Sequence, residues 1–517
     1  MSAPRLSTKV LVFLYQVLFF LTPLVFCFAT HELFEFPKMI FVYILTAGIV
    51  IAFVLQQPQG DWGGLGREGK RLAKLVGLLF LVYLLTTIFS QHLYTSLFGY
   101  YTRFNGGLLS LMCYLTLAVI FWAGFGGQVE QVKGFLKILL ASSFLVSGYA
   151  IAQHFGWDKE LWVQNSQARV FSTLGQPNWL AAWAAVVFPI NLALLLEAKV
   201  KMVKREEKLY FILGLLNFAA AWFTYSLSGL LGLAVATLTF LYLSPKETLK
   251  GNRGILGRLF LVMAVIVILQ PGIFGDRVIW TWRNLRQKIA MSVTALAQTT
   301  DQAFEVKGST VNIRLEVWQG SLDLIRNHWL LGTGPETFAY AFLPYRPASL
   351  NYTTEWDFLY NKAHNEYLNL AAGIGVPGLV IYLLLLPTVL WLSLKSIKEE
   401  KEMAGKGLVI AGLTAGWVSL WVTNFFGFSV VTTSLLFWLI HATILSLTIQ
   451  LSNHPAIQPF NHSSSILDQR LFKVATTVGA LWLLFISGKI FLADIYYTQG
   501  LTQEKQNLPV SAAFDVQ

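Results

Sequence analysis

An all-α protein that crosses a membrane many times is what this sequence predicts, and three observations predict it. Of the 517 residues, 55% are hydrophobic and only 13% are charged, against about 25% charged in ordinary globular domains. Mean hydropathy is +0.57. Apolar runs of about 20 residues, the length that crosses a hydrocarbon core about 30 Å thick, recur from end to end. Positive charge collects in alternate connections between those runs, the pattern the positive-inside rule gives a polytopic chain.

Taken in order, the candidate spans lie near residues 10–30, 36–55, 72–92, 106–124, 133–155, 177–197, 209–225, 228–243, 256–275, 366–394, 407–424, 431–450 and 472–492, about 12–13 helices. The first follows a basic head, "MSAPRLSTK", but its run is long and no small-residue cleavage site stands out. It reads as a retained helix rather than a signal peptide. The Tyr225–Ser228 connection is so short that the seventh and eighth spans must form a tight helical hairpin.

Lys70, Arg71 and Lys74 lie in one connection, and Lys199, Lys201, Lys204, Arg205 and Lys208 in another. Lys246, Lys250, Arg253 and Arg258 follow, then Lys395, Lys398, Lys401 and Lys406. With Arg5 and Lys9 these fall on one side, which places the N-terminus in the cytoplasm of a cytoplasmic (inner) membrane protein. The opposite short loops hold only Lys38, Arg103, Lys159 and Arg169.

The domain organisation expected is residues 1–275 as N-terminal transmembrane helices, 276–365 as a large extracytoplasmic loop, 366–492 as C-terminal transmembrane helices and 493–517 as an extracytoplasmic tail. Loops of this length translocate largely regardless of charge, and they are usually functional or disordered. The loop's polar first half, "QKIAMSVTALAQTTDQAFEVKGST", is expected to be mobile. In the second half, Ile313, Val317, Leu324 and Ile325 recur at helical spacing before the turn residues "GTGPE". This predicts an amphipathic helix lying on the membrane surface and presenting Arg314 and Glu316.

Composition also limits chemistry. The net charge of +11 belongs here to membrane topology rather than to nucleic acid, for which no motif is present. Cys27 and Cys113 sit inside apolar runs, and no Cys/His pair has metal spacing, so neither a disulfide framework nor a zinc site is indicated. No P-loop, dinucleotide fingerprint or internal repeat is evident, and no metal or other cofactor is expected.

Three stretches on the loop side carry polar residues that composition does not explain. "QARVFSTLGQPNWLAAW" sets Arg169 before a turn ending in Pro177 and Asn178. The loop helix carries Arg314. His364, Asn365 and Glu366 enter the tenth span. Singly, each has a plain reading: arginines snorkel to headgroups, Pro177 and Asn178 start a helix, and His364 closes a loop. Jointly, they put two arginines and a histidine where a lipid-linked phosphate would lie. Arginine grips phosphate oxygens through two parallel charge-assisted hydrogen bonds. A histidine beside such arginines is kept neutral and can act as a base. Gly373, Gly375, Pro377 and Gly378 then interrupt the tenth span, predicting a broken helix. The break would serve either as an anion-binding half-helix N-terminus or as a kink that packs helices closely.

These stretches resemble the O-antigen ligase and polymerase superfamily of bacterial envelope enzymes. "HNEYLNLAAGIGVPG" is similar to its signature of His, a small polar residue, nine residues, Gly, two residues and a small residue, filled by His364, Asn365, Gly375 and Gly378. "IRLEVWQGSLDLIRNHWLLGTGPETF" resembles its Arg-x-x-x-Trp helix and Leu-Leu-Gly-x-Gly turn, through Arg314, Trp318, Leu330, Leu331, Gly332 and Gly334. "ARVFSTLGQPNWLA" resembles its Arg and Gly-x-Pro-Asn entry, and "LFGYYTRFNGGLLSL" is a looser match through Gly99, Arg103 and Gly106. The resemblance covers roughly residues 70–450. Many members carry a Ser-Arg-Gly at an outer hairpin where this chain reads "TYSLSGLLG", so the grip falls to Arg103, Arg169 and Arg314.

The resemblance implies a metal-independent glycosyltransferase. It would move a glycan from polyprenyl diphosphate to an acceptor hydroxyl at the outer face of the cytoplasmic membrane. His364 would be the base and the arginines would hold the diphosphate. Asn365, Glu366 and Asn178 would contact substrate or orient the histidine, and Gly375, Gly378 and Trp318 would be structural at the site. The acceptor would be a lipid A-core, another repeat unit or a protein hydroxyl: a ligase, with a polymerase or protein O-oligosaccharyltransferase as alternatives. The tail "ADIYYTQGLTQEKQNLPVSAAF" looks like the approach to a tetratricopeptide array of the kind some relatives append. A small-solute or bicarbonate transporter is the less favoured reading, because the notable charges cluster outside rather than at the bilayer midplane.

Overall fold

The computed structural model describes residues 6–56, 67–272, 310–399, 405–448 and 466–507. All regular structure among them is helical, and nine described helices are long and apolar enough to cross a membrane. The chain is a multi-pass membrane protein. The polar first half of the long loop, before Thr310, and the end of the tail, beyond Asn507, lie outside the described residues.

The helices are α1 (Leu6–Leu21), α2 (Glu35–Leu55), α3 (Arg67–Ile88), the short α4 (Leu93–Phe98), α5 (Leu108–Phe125) and α6 (Val129–His154). Then come α7 (Pro177–Val200), α8 (Lys204–Phe223), α9 (Leu227–Leu243), the short α10 (Lys246–Gly251) and α11 (Arg253–Leu269). After the long loop follow α12 (Thr310–Asn327), the one-turn α13 (Phe338–Ala341), α14 (Glu366–Glu399), α15 (Lys406–Phe425), α16 (Val431–Thr448) and α17 (Ile466–Asn507). Each of the expected spans overlaps one of these helices; the α8–α9 connection is as short as expected, but the two helices pack much more against α7 than against each other. Two extents differ. Helix α8 starts in the basic run at Lys204, and α17, 42 residues long, runs on to Asn507 through much of the segment read as a tail. A helix of that length is about 63 Å long. Its far part is held to the α1–α2 loop, where the His31 backbone N–H donates to Asp494 Oδ2 at 2.8 Å.

Helix α7 is the centre of the bundle, with Trp183 fully buried and nearly every residue from Leu180 to Ala198 out of contact with solvent or lipid. It packs against α8, α9 and α15. A Cβ at Gly416 on α15 would run into the Val186 backbone, so the missing side chain lets the two helices touch directly.

The α12 stretch is a correction to its expected position. Ile313, Val317, Leu324 and Ile325 are buried against Phe338, Phe342, Leu350, Tyr360 and the first turns of α14. An apolar helix face can be removed from water by protein as well as by lipid, and here protein covers it. Helix α12 therefore covers the start of α14 with the face expected to meet lipid.

Candidate active site

The site is built around the entry to α14. Asn365 caps that helix: its Oδ1 accepts from the backbone N–H groups of Tyr367 at 3.0 Å and Leu368 at 3.2 Å. His364 precedes the cap with φ of 51°, a left-handed conformation uncommon for a side chain of this size. The imidazole makes no hydrogen bond with a described residue, and its ring lies 5.7 Å from that of Phe428.

The predicted break in this helix is present. Gly375 has φ 74° and ψ 168°, outside helical values. The backbone groups freed there are satisfied by the turn after α12. Thr333 N–H donates to Ala372 O and Gly334 N–H to Gly373 O, both at 2.9 Å, and Val376 N–H donates to Trp329 O at 2.7 Å. Of the two readings of the break, the structure supports close packing. The freed Val376 N–H is bonded to protein and is not offered to an anion.

Helix α12 is tied to the same segment. Trp318 Nε1 donates to Ala363 O at 3.1 Å, one residue before His364. Arg314 lies one helical turn earlier on the same face, which brings it over the histidine. Arg103 comes from the α4–α5 loop, where the Tyr43 hydroxyl donates to Phe104 O at 2.8 Å. Its guanidinium lies over the rings of Phe428, 4.8 Å away, and Trp179, 5.6 Å away. Neither Arg314 nor Arg103 makes a hydrogen bond or ion pair to a described residue through its guanidinium.

Arg169 stands differently. Its Nε donates to Thr224 O at 2.9 Å and its Nη2 to Asn178 Oδ1 at 3.3 Å. Asn178 Oδ1 also accepts from Ser226 Oγ at 2.7 Å. Arg169 thus fixes the α8–α9 turn and the start of α7. Its loop is anchored from behind by Asp158, whose Oδ2 accepts from the hydroxyl of Tyr149 and Nε1 of Trp162, both at 2.6 Å. Burial pushes that carboxyl up, but hydrogen bonds from Tyr149, Gln153, Trp162 and Ser166 outweigh it and hold Asp158 below the usual range.

Together these segments enclose a cavity of about 220 Å³ lined by Arg314, His364, Asn178, Trp179, Phe428, Tyr360, Glu355 and Asn424, among others. Burial first, then the charges of Arg314 and Arg103, lower the His364 pKa to about 4. The imidazole is therefore neutral near pH 7. Burial also lowers Arg314, partly offset by Glu355. The Tyr360 hydroxyl donates to Glu355 Oε2 at 2.8 Å, fixing the carboxylate that faces the arginine.

Of the residues expected at the site, His364, Arg314 and Asn178 line the cavity, and Arg103 flanks it through Trp179 and Phe428. Arg169 acts on its wall. Asn365 and Glu366 do not line this cavity. The Asn365 side chain is committed to the helix cap. Glu366 turns its carboxylate into a separate, smaller cavity with Tyr83, Asn105, Ser110 and Tyr114. His364 stands before the cap with a left-handed backbone while Glu366 is the first residue of the helix, so their side chains leave in different directions. Trp318 and Gly375 hold the frame, and Gly378 sits beside the break, where a Cβ would press on Ile374. Among the described residues no group of three or more His, Cys, Asp or Glu is placed to hold a metal ion. Sequence reasoning missed Phe428, Trp179, Glu355 and Tyr360. The stretch "TEWDFLYNKAH" immediately before His364 was the signal for the last two.

Residues 211–383 match the family model described as O-antigen ligase. This segment is similar to the O-antigen ligase domain. The match runs from α8 into the first half of α14 and includes Arg314, Trp318, His364, Gly375 and Gly378. It covers a third of the chain, and Arg103, Arg169 and Asn178 lie outside it. The motif resemblance and the O-antigen ligase model agree on the superfamily, which comprises glycosyltransferase-type membrane enzymes. No curated protein matches the chain.

Proposed function

We propose that the protein transfers a glycan from a polyprenyl-diphosphate carrier to an acceptor hydroxyl, in the manner of an O-antigen ligase. One observation carries this reading: Arg314 and His364 line one cavity and Arg103 flanks it over Phe428, and none of the three side chains has a hydrogen-bond or ion-pair partner among the described residues. Keeping such groups unpaired is unfavourable unless a ligand completes them. A diphosphate, with several anionic oxygens, is the complement of two guanidinium forks.

In this scheme the acceptor hydroxyl oxygen attacks the anomeric carbon of the donor sugar. The bond from that carbon to the diphosphate oxygen breaks, and its electron pair leaves with the polyprenyl diphosphate. The hydroxyl proton passes to the imidazole of His364. Arg314 and Arg103 stabilise the charge gathering on the leaving group, the kind of term that usually dominates such reactions. Diphosphate between the arginines also offsets the charges that lower His364, making it a stronger base when the donor is bound. Arg169 shapes the wall through Asn178. We place the site on the extracytoplasmic side of the inner membrane, with the N-terminus cytoplasmic. In support, Lys38, Arg103, Arg169 and His364 gather at one end of the bundle, while the basic connections lie at the other.

The acceptor class divides ligase from polymerase and protein O-oligosaccharyltransferase, and mass spectrometry of envelope glycans and glycoproteins with and without the gene identifies it. The mechanism is tested with purified protein and a lipid-linked donor. His364→Ala and Arg314→Ala should each abolish transfer while expression and membrane insertion persist. Full activity in both refutes the scheme.

A further inference from the structure

Lys362 and Glu336 form an ion pair whose side chains are only 7% and 6% exposed. A buried pair is weak evidence for stability, because desolvating two charges offsets most of their attraction. Its placement suggests another role. Lys362 lies two residues before His364. Glu336 follows the turn that satisfies the α14 break, and its own φ is 62°. The glutamate carboxylate passes where a Cβ at Gly106 would stand, and Gly106 is in the loop that carries Arg103. One ion pair therefore joins three segments that meet at the site.

Phe428 completes the arrangement. Its ring receives the Lys362 ammonium at 5.6 Å and the Arg103 guanidinium at 4.8 Å, and the His364 ring lies 5.7 Å away. Cations within about 6 Å of an aromatic centroid are held by the ring quadrupole. Shifting Lys362 would thus disturb the seat that Arg103 and His364 share.

We propose that Lys362 is a positioning residue: paired with Glu336 and seated on Phe428, it holds the Arg103 loop and the His364 segment at the separation that transfer requires. The proposal rests on the diphosphate-binding reading of the site.

The test uses full-length protein, a lipid-linked glycan donor for turnover, and farnesyl diphosphate as a binding probe. Lys362→Met should lower kcat by about 10–100-fold, the scale expected when reacting groups are misplaced by a fraction of an ångström to an ångström, and should weaken farnesyl diphosphate binding. Lys362→Arg should restore part of both. The double variant Lys362→Met/Glu336→Met, which leaves no unpaired charge, should recover the thermal midpoint but not kcat. If it recovers turnover together with stability, the pair is merely structural and the proposal is overturned. Wild-type kcat and probe affinity in Lys362→Met overturn it too, while leaving the diphosphate reading intact. A wild-type protein that neither binds the probe nor transfers glycan overturns both.

Discussion

Replacing Arg314 by glutamine removes one positive charge from beside His364 and keeps a side chain of similar reach. Burial is the largest cause of the lowered histidine pKa, Arg314 the second and Arg103 the third. The variant's pKa should therefore rise from about 4 but stay below the ordinary 6.5, because burial and Arg103 remain. Only neutral imidazole can take the acceptor proton, so activity is lost as pH falls through this pKa. The pH profile of kcat/KM reports the free enzyme. For the wild type, with a pKa of about 4, roughly nine-tenths of His364 is neutral at pH 5, and kcat/KM should change little between pH 7 and pH 5. In Arg314→Gln the acid limb should lie at higher pH, and the pH 5 rate should fall visibly below the pH 7 rate. Apart from the shift, loss of one leaving-group contact should reduce kcat about 10²–10³-fold. The wild-type kcat profile, which reports the donor complex, should have its acid limb above that of kcat/KM. An acid limb that stays put or moves down in Arg314→Gln refutes the electrostatic coupling on which the mechanism rests.

Two further outcomes test the frame. Gly375→Ala places a Cβ at φ 74° against the Leu330 carbonyl, so it should lower the thermal midpoint and membrane accumulation sharply; normal accumulation would show that the break is not fixed. Asn365→Ala should lose about 1 kcal/mol of helix capping, and Asn365→Asp should retain it. Differential scanning fluorimetry distinguishes the two, and equal loss in both would contradict the capping role.

Much of the architecture was legible because membrane spans are written in composition. A lipid-exposed helix must be apolar over its whole crossing, and that signal needs no knowledge of neighbours. The broken tenth span was readable for the same local reason, since Gly373, Gly375, Pro377 and Gly378 cannot continue an ordinary helix. The position of α12 was not. An amphipathic stripe says that one face will be covered, not by what, and the partners of Ile313 and Val317 come from residues as distant as Tyr360 and Ala371. The same limit hid Phe428, which in sequence is one aromatic among many between two spans. Asn365 and Glu366 were drawn into the site by adjacency to His364, although the left-handed backbone at His364 and the helix start at Glu366 turn consecutive side chains different ways.

The spacing of the histidine motif follows from the way both ends of one short helical segment are fixed. Residues 366–374 form the first part of α14, about 13 Å long at the usual rise. Asn365 caps one end, and the Gly375 break closes the other. That break is pinned because Thr333, Gly334 and Trp329 exchange backbone hydrogen bonds with Ala372, Gly373 and Val376. The same α12 connection that pins the break also carries Trp318 to Ala363 and Arg314 to the cavity. One residue more or fewer between cap and break would turn the cap by about 100° around the helix axis. It would also shift it by about 1.5 Å, while Arg314 stayed where the break holds it. The nine intervening positions are thus a ruler. Their number matters because the distance they set is that between the proposed base and the proposed diphosphate grip.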